Sequence, residues 1–190
     1  YEKLKTHFGT SSLKGFGIEE LPYASVAAGA ILYYLEETEH REVQHISSIS
    51  RIPEEKYVWL DKFTIRNLEL VYPQHEGGVP LIQILDQTVT PMGSRMMKKW
   101  MVLPLKDKPA IEERLNVVDF FYQNASLIEE MVGHLRQTGD LERLISKVVV
   151  GRANPREINQ IKRALTAVLP IKQLLRAQSN PTLKRLSEQL

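Results

Sequence analysis

Apolar residues recur at three- and four-residue steps through the second half of the sequence, the spacing that puts side chains on one face of an α-helix. From Pro109 the positions are Ile111, Leu115, Val118, Phe121 and Tyr122, and Leu127, Ile128, Met131 and Leu135 carry the pattern on. This predicts a long helix interrupted near "QNAS". Leu141, Leu144, Ile145, Val148 and Val149 repeat the spacing, with Asp140 placed to cap the helix and Gly151 placed to end it in a left-handed turn. Asn154-Pro155 opens another helix, whose apolar positions are Ile158, Ile161, Leu165, Val168 and Leu169. Pro170 predicts a kink or a division there, because proline removes a backbone hydrogen bond and crowds the preceding turn. The sequence then stays helical to "LKRLSEQL".

Upstream the pattern is more mixed. "GTSSLKGFGIEELPYA" combines small polar residues, glycines and a proline, and predicts a loop feeding a helix over "YASVAAGAILYYLEETE". In that helix Ala24, Ala27, Ala28 and Gly29 permit close approach, and Val26, Ile31, Leu32 and Leu35 supply apolar contact. "HISSISRI" places Ile46, Ile49 and Ile52 among polar residues and "YVWLD" is rich in β-formers, so two short strands are expected and a boundary falls near residue 44. Asp61 begins a short helix, and "YPQHEGGVP" breaks it as an exposed loop. Leu81 to Leu85 form an apolar turn or two, after which Thr90 and Pro91 combine an N-cap with proline at the first helical position. The helix they open runs to about Leu103, with Met96, Met97, Trp100 and Met101 on one side and Arg95, Lys98 and Lys99 on much of the rest. The methionines read as core filling in preference to an adaptable partner surface.

Composition narrows the function classes. The 190 residues are long enough for a sizeable core, as one elongated domain or as one domain with a piece of another, and the second is expected. With 25 basic against 23 acidic residues the chain has no global polyanion-binding character. Locally the balance differs. From Gly151 onward Arg152, Arg156, Lys162, Arg163, Lys172, Arg176, Lys184 and Arg185 face only Glu157 and Glu188, although they spread around the helices and few aromatics accompany them. There is no cysteine, so no disulfide framework or thiolate metal site, as suits a reducing cytoplasm. No segment has the roughly 20 apolar residues of a membrane span. The chain starts at Tyr1 and stops within a helical pattern, which suggests an excised fragment.

Candidate chemistry is sparse. Neither G-x-x-x-x-G-K-[ST] nor G-x-G-x-x-G occurs, so no known phosphate-cradling loop is present. His40 and His45 stand five apart and "HREVQH" lacks the H-E-x-x-H zinc pattern. His7, His75 and His134 have no neighbouring carboxylate or nucleophile arrangement, and Ser11 and Ser12 no nucleophile elbow. Catalytic, cofactor-binding and metal residues are therefore not assigned. Arg95, Lys98 and Lys99 lie at i, i+3 and i+4, a positive patch that reads first as a solvated helix face and second as a DNA-backbone contact.

Four blocks in order carry a family resemblance: "FGTSSLKGFGIEELPYASVAAGAILYYL", "LDKFTIRNLEL", "LDQTVTPMGSRMMKKWMVLPL" and "GDLERLISKVVVGRANPREI". Together they resemble the bacterial MutS family of DNA mismatch-repair proteins, nearly end to end. The resemblance implies a mainly α fold. Residues 1–43 would be the C-terminal end of an α/β connector domain, and residues 44–190 the first part of a helical core, or lever, domain with a few short strands. It implies a parent protein that is a dimeric, DNA-dependent ATPase of the cytoplasm and nucleoid, which kinks mismatched duplex DNA, becomes a sliding clamp on binding ATP and recruits MutL. Its ATP and magnesium site, its mismatch-reading wedge and its clamp would all lie outside this chain.

On that resemblance Asp86, Thr88, Thr90, Pro91, Gly93 and Arg95 match one family block and Asp140, Leu141, Glu142 and Arg143 another. The expected roles are caps and interhelical ion pairs, with Gly93 admitting a close neighbour and Arg95 pairing with a carboxylate such as Asp86 or Glu142. The fragment is then a strut and no enzyme. Two other readings stay open: a MutL-docking module built on Leu13 to Leu35, or the same piece of a recombination paralogue. Modest DNA binding through Arg95, Lys98, Lys99 and the basic end is a further possibility.

Overall fold

The computed structural model describes residues 1–38, 43–52, 54–149 and 151–190. His40, one of the two closely spaced histidines, lies outside them. Ten α-helices occupy the described residues, and β structure there is limited to one isolated antiparallel bridge between Tyr57 and Leu105. The mainly α class holds; the two short strands do not form. The chain divides into two compact units, residues 1–53 with 146–153, and residues 54–145 with 154–190.

In the first unit, α1 (Glu2–Phe8) and α2 (Pro22–Glu37) enclose a core of Leu4, Leu13, Ile18 and Leu32. Ile46 and Ile49, expected on a strand, pack against this core instead. Their spacing of three suits an irregular segment wrapped on a helical core, and His7 Nε2, 2.8 Å from the Ile46 carbonyl oxygen, ties the segment down. On α2 the buried residues are Ser25 and Leu32, whereas Val26 and Ile31 are exposed.

The second unit is a series of helices with defined starts. α3 (Lys62–Asn67) is capped by Asp61, whose carboxylate accepts the Thr64 N–H at 2.6 Å. The turn after it uses Glu69 at φ +47°. This lets the carbonyls of Glu69 and Leu70 accept the Leu81 and Ile82 N–H groups, which open α4 (Leu81–Leu85) without a capping side chain. α5 (Pro91–Val102) is capped by Thr90, α6 (Lys108–Gln123) by Asp107, and α7 (Ala125–Thr138) follows Asn124 directly. α8 (Leu141–Val149) starts in this unit, while its last residues, 146–149, and Gly151, which at φ +65° donates to the Val148 carbonyl, belong to the first. α9 (Pro155–Arg176) starts with a full capping box between Asn154 and Glu157, and α10 (Pro181–Gln189) with Asn180 accepting from Thr182 and Leu183. Proline at or beside the first helical position recurs because its missing N–H is unneeded there.

α9 passes through Pro170 as a single helix, so of the kink or division expected there the division does not occur. Buried residues flank the proline on both sides, Ala164 and Ala167 before it and Ile171 and Leu175 after it. Packing along α7 and α10 outweighs one lost hydrogen bond. The core here joins Ile171, Leu175 and Leu183 to Val117, Phe120, Phe121, Met131 and Leu135 from α6 and α7.

The apolar side of α5 does not enter a core. Met96 and Trp100 are exposed, Met97 and Met101 half-buried, and the helix has no buried residue. Amphipathic spacing marks a face able to be covered, and in the described residues only part of it is.

Leu183 is 1% exposed at the junction of α6, α7, α9 and α10. Leu183→Ala is expected to lower unfolding free energy by about 2–5 kcal/mol, from lost transfer energy plus a cavity, measured by urea denaturation with an unchanged m-value.

Candidate functional site

The residues of the two matching blocks come together in the second unit. Arg95, one turn into α5, extends its guanidinium to the start of α8. Nη1 and Nη2 donate to the two Asp140 carboxylate oxygens at 2.9 and 2.7 Å, and Nε and Nη2 donate to Glu142 Oε2 at 3.1 and 2.6 Å. The fork thus holds one carboxylate two-pronged and shares a second, the geometry for which arginine is suited and lysine is not. Glu142 was an expected partner. Asp86 was the other, and it binds elsewhere: Asp140, immediately before α8, takes that place.

Asp140 has two tasks. Its Oδ1 also accepts the Arg143 N–H at 3.3 Å, so it caps α8 while receiving Arg95. Gly139, at φ +59°, makes the turn that delivers Asp140 from the end of α7. Hydrogen bonding from Arg95 holds the Asp140 carboxyl below the ordinary range, and Asp140 followed by Glu142 holds Arg95 above its ordinary value. Asp140 and Glu142 also sit at the positive end of the α8 dipole. Leu141 is half-buried, and the Arg143 side chain is exposed.

Asp86 organises the turn before α5. Its Oδ2 accepts from Ser94 Oγ at 2.5 Å, and its Oδ1 from Thr88 Oγ1 at 2.6 Å and Thr88 N–H at 3.0 Å. The Ser94 hydroxyl, then Thr88, holds this carboxyl below the usual range. Thr90 Oγ1 accepts the Gly93 N–H at 3.0 Å, and Pro91 fills the first helical position. Gly93 is closely approached: a Cβ there would lie 3.1 Å from both Thr88 Cβ and Thr90 Oγ1. The neighbour is therefore the capping turn itself.

Of the candidate DNA-contact residues, Arg95 is engaged by two carboxylates, and Lys98 Nζ lies 5.0 Å from the centre of the Tyr72 ring. Lys99 is exposed. Arg114 lies over the Trp100 ring at 3.8 Å, attaching α6 to α5.

Two participants were not singled out from the sequence. Ser94 stands between Gly93 and Arg95 in the block already marked, so its position was a usable signal. Glu113 gave none: it accepts from Thr182 Oγ1 at 2.9 Å and pairs with Arg185, joining α6 to α10 across some seventy residues. Thr182 first, then Arg185, holds the Glu113 carboxyl low. Among the described residues, no group of three or more His, Cys, Asp or Glu could hold a metal ion, and no helix is long and apolar enough to cross a membrane.

A connector-type piece followed by a capped helical array is the arrangement that family comparison recovers. The family model for MutS domain II matches residues 1–47, and that for MutS domain III matches residues 63–190. The chain belongs to the MutS family. It is 56% identical over 190 residues to the DNA mismatch repair protein MutS of Cytophaga hutchinsonii. It is 52% identical over 189 residues to that of Bacteroides fragilis, and 49% identical over 189 residues to that of Christiangramia forsetii. Each match covers 100% of this chain and 22% of the relative, so the chain spans under a quarter of the length of the relatives it matches.

Two expectations follow. Asp140, Asp86 and Glu113 all have depressed folded-state pKa values, so their stabilisation is fully present above the ordinary carboxylate range near pH 4 and is lost as pH falls through the folded values. The midpoint of thermal unfolding should be level from pH 7 to about 5 and fall below about 4, and Asp140→Asn should make that fall shallower. Thr90→Ala should cost about 1 kcal/mol through loss of the cap. Gly93→Ala displaces the same threonine, so in the Gly93→Ala background Thr90→Ala should add little in urea denaturation.

Proposed function

We propose that this chain is the connector end, residues 1–43, and the first lever segment, residues 44–190, of a DNA mismatch-repair protein of the MutS type. In this reading it is a strut that passes movement between parts of the parent protein and carries no catalytic step. The observation that carries the reading is the Arg95 fork, which fixes α5 to the start of α8 across 45 and 47 residues of sequence. A rigid-body signal needs joints with discrete arrangements, and a shared guanidinium is such a joint: it is made or broken, with little between.

The parent's partners on this reading are mismatched duplex DNA, a second copy of the protein and MutL. Its cofactors are ATP and magnesium. The residues of this chain do not fit a nucleotide: no phosphate-cradling loop occurs in the sequence, and the strongest cation of the site, Arg95, is already neutralised by carboxylates. The engagement of Arg95 and Lys98 within the chain likewise supports a joint over a DNA contact at α5.

The test uses the full-length protein. Arg95→Ala should reduce mismatch-stimulated ATP turnover several-fold more than turnover without DNA, and Arg95→Lys, which keeps the charge and loses the fork, should fall with it. Equal losses in stimulated and unstimulated turnover would reduce the joint to ordinary folding stability and remove the strut reading.

A further inference from the structure

On α5, Arg95 and Lys98 are engaged within the chain; Lys162 and Arg163 on α9 have no such partner among the described residues. α7 and α9 pack side by side, and between them runs a groove of about 770 Å³ whose lining includes His134, Gln137, Asn159, Lys162, Arg163 and Thr166. No carboxylate lines it. Lys162 and Arg163 are exposed, and no aspartate or glutamate among the described residues lies within ion-pair reach of either. Elsewhere in the chain Lys3, Lys5, Arg95, Lys108 and Arg185 each have an acidic partner. The amides of Gln137 and Asn159 add neutral donors beside the two cations. A second basic groove, between α9 and α10, includes Glu188 beside Lys172, Arg176 and Lys184, and is the less purely cationic of the two.

A concave surface rich in donors and bare of acidic groups is complementary to phosphate oxygens, which accept and carry charge. We infer that the α7–α9 groove binds backbone phosphates of duplex DNA through Lys162 and Arg163. The choice of DNA as the polyanion rests on the proposed function above, and the groove adds to that reading a contact on the strut itself. Because phosphate contacts release counterions, each shows up in the salt dependence of binding.

The experiment titrates the full-length protein with a fully paired fluorescent duplex over a series of salt concentrations. The double substitution Lys162→Gln with Arg163→Gln should make the plot of log affinity against log salt shallower by about 1.8, at about 0.9 per phosphate contact. The charge-keeping pair Lys162→Arg with Arg163→Lys should retain the slope, and so should Lys108→Gln, whose cation is paired with Glu112. An unchanged slope in the double glutamine variant overturns the proposal and leaves an acidic protein segment as the occupant that fits. An equal loss in Lys108→Gln also overturns it, because net charge would then be the cause. Neither result touches the strut, whose test reads the ratio of mismatch-stimulated to unstimulated ATP turnover in Arg95 variants.

Discussion

A helix with no buried side chain has to be held by something other than a core, and α5 is such a helix. Two guanidinium groups tie it to the helices that follow. Arg95 reaches from α5 to the acidic start of α8, and Arg114 reaches from α6 to the face of Trp100. These contacts are directional, whereas apolar burial is roughly proportional to area and tolerates sliding. Attachment by charge therefore fixes the angle of α5 more than it adds to stability, since exposed ion pairs contribute little.

That division of labour runs through the second unit. Burial is concentrated on α9, where Ala164, Ala167, Ile171 and Leu175 supply the face on which α7 and α10 pack. Polar joints then set the register of the rest: Asp86 with Ser94 before α5, Asp140 with Arg95 at α8, Glu113 with Thr182 and Arg185 between α6 and α10. Asp140 shows how tightly the two layers are coupled, because the group that caps α8 is also the group that receives α5. Disturbing the cap disturbs the joint.

How much of this the sequence revealed depended on the range of the cause. Helix starts were readable because an N-cap and its proline act within one turn: Thr90-Pro91, Asn154-Pro155 and the Asp140 cap are all found where their residues put them. The expected strands at Ile46 to Ile52 failed because β-formers make a strand only with a partner, and the nearby core is helical. Pro170 does not divide α9 for a similar reason, since tertiary packing on both sides offsets a local penalty. Arg95 was singled out correctly as a pairing residue, yet the choice among carboxylates 9, 45 and 47 positions away is set by how α7 turns at Gly139, which no local pattern encodes. The link through Glu113 lay wholly beyond such reading.

Pro170 has a mechanical consequence. Lacking an amide hydrogen, it leaves the Thr166 carbonyl without its usual helical donor, in the C-terminal half of a 22-residue helix. A rod with one rung missing has a softer side, and its compliance is directional, bending away from the proline ring and stiff against the opposite load. The same turn contributes Thr166 and Pro170 to the basic groove, so a bend of α9 there would reshape that groove.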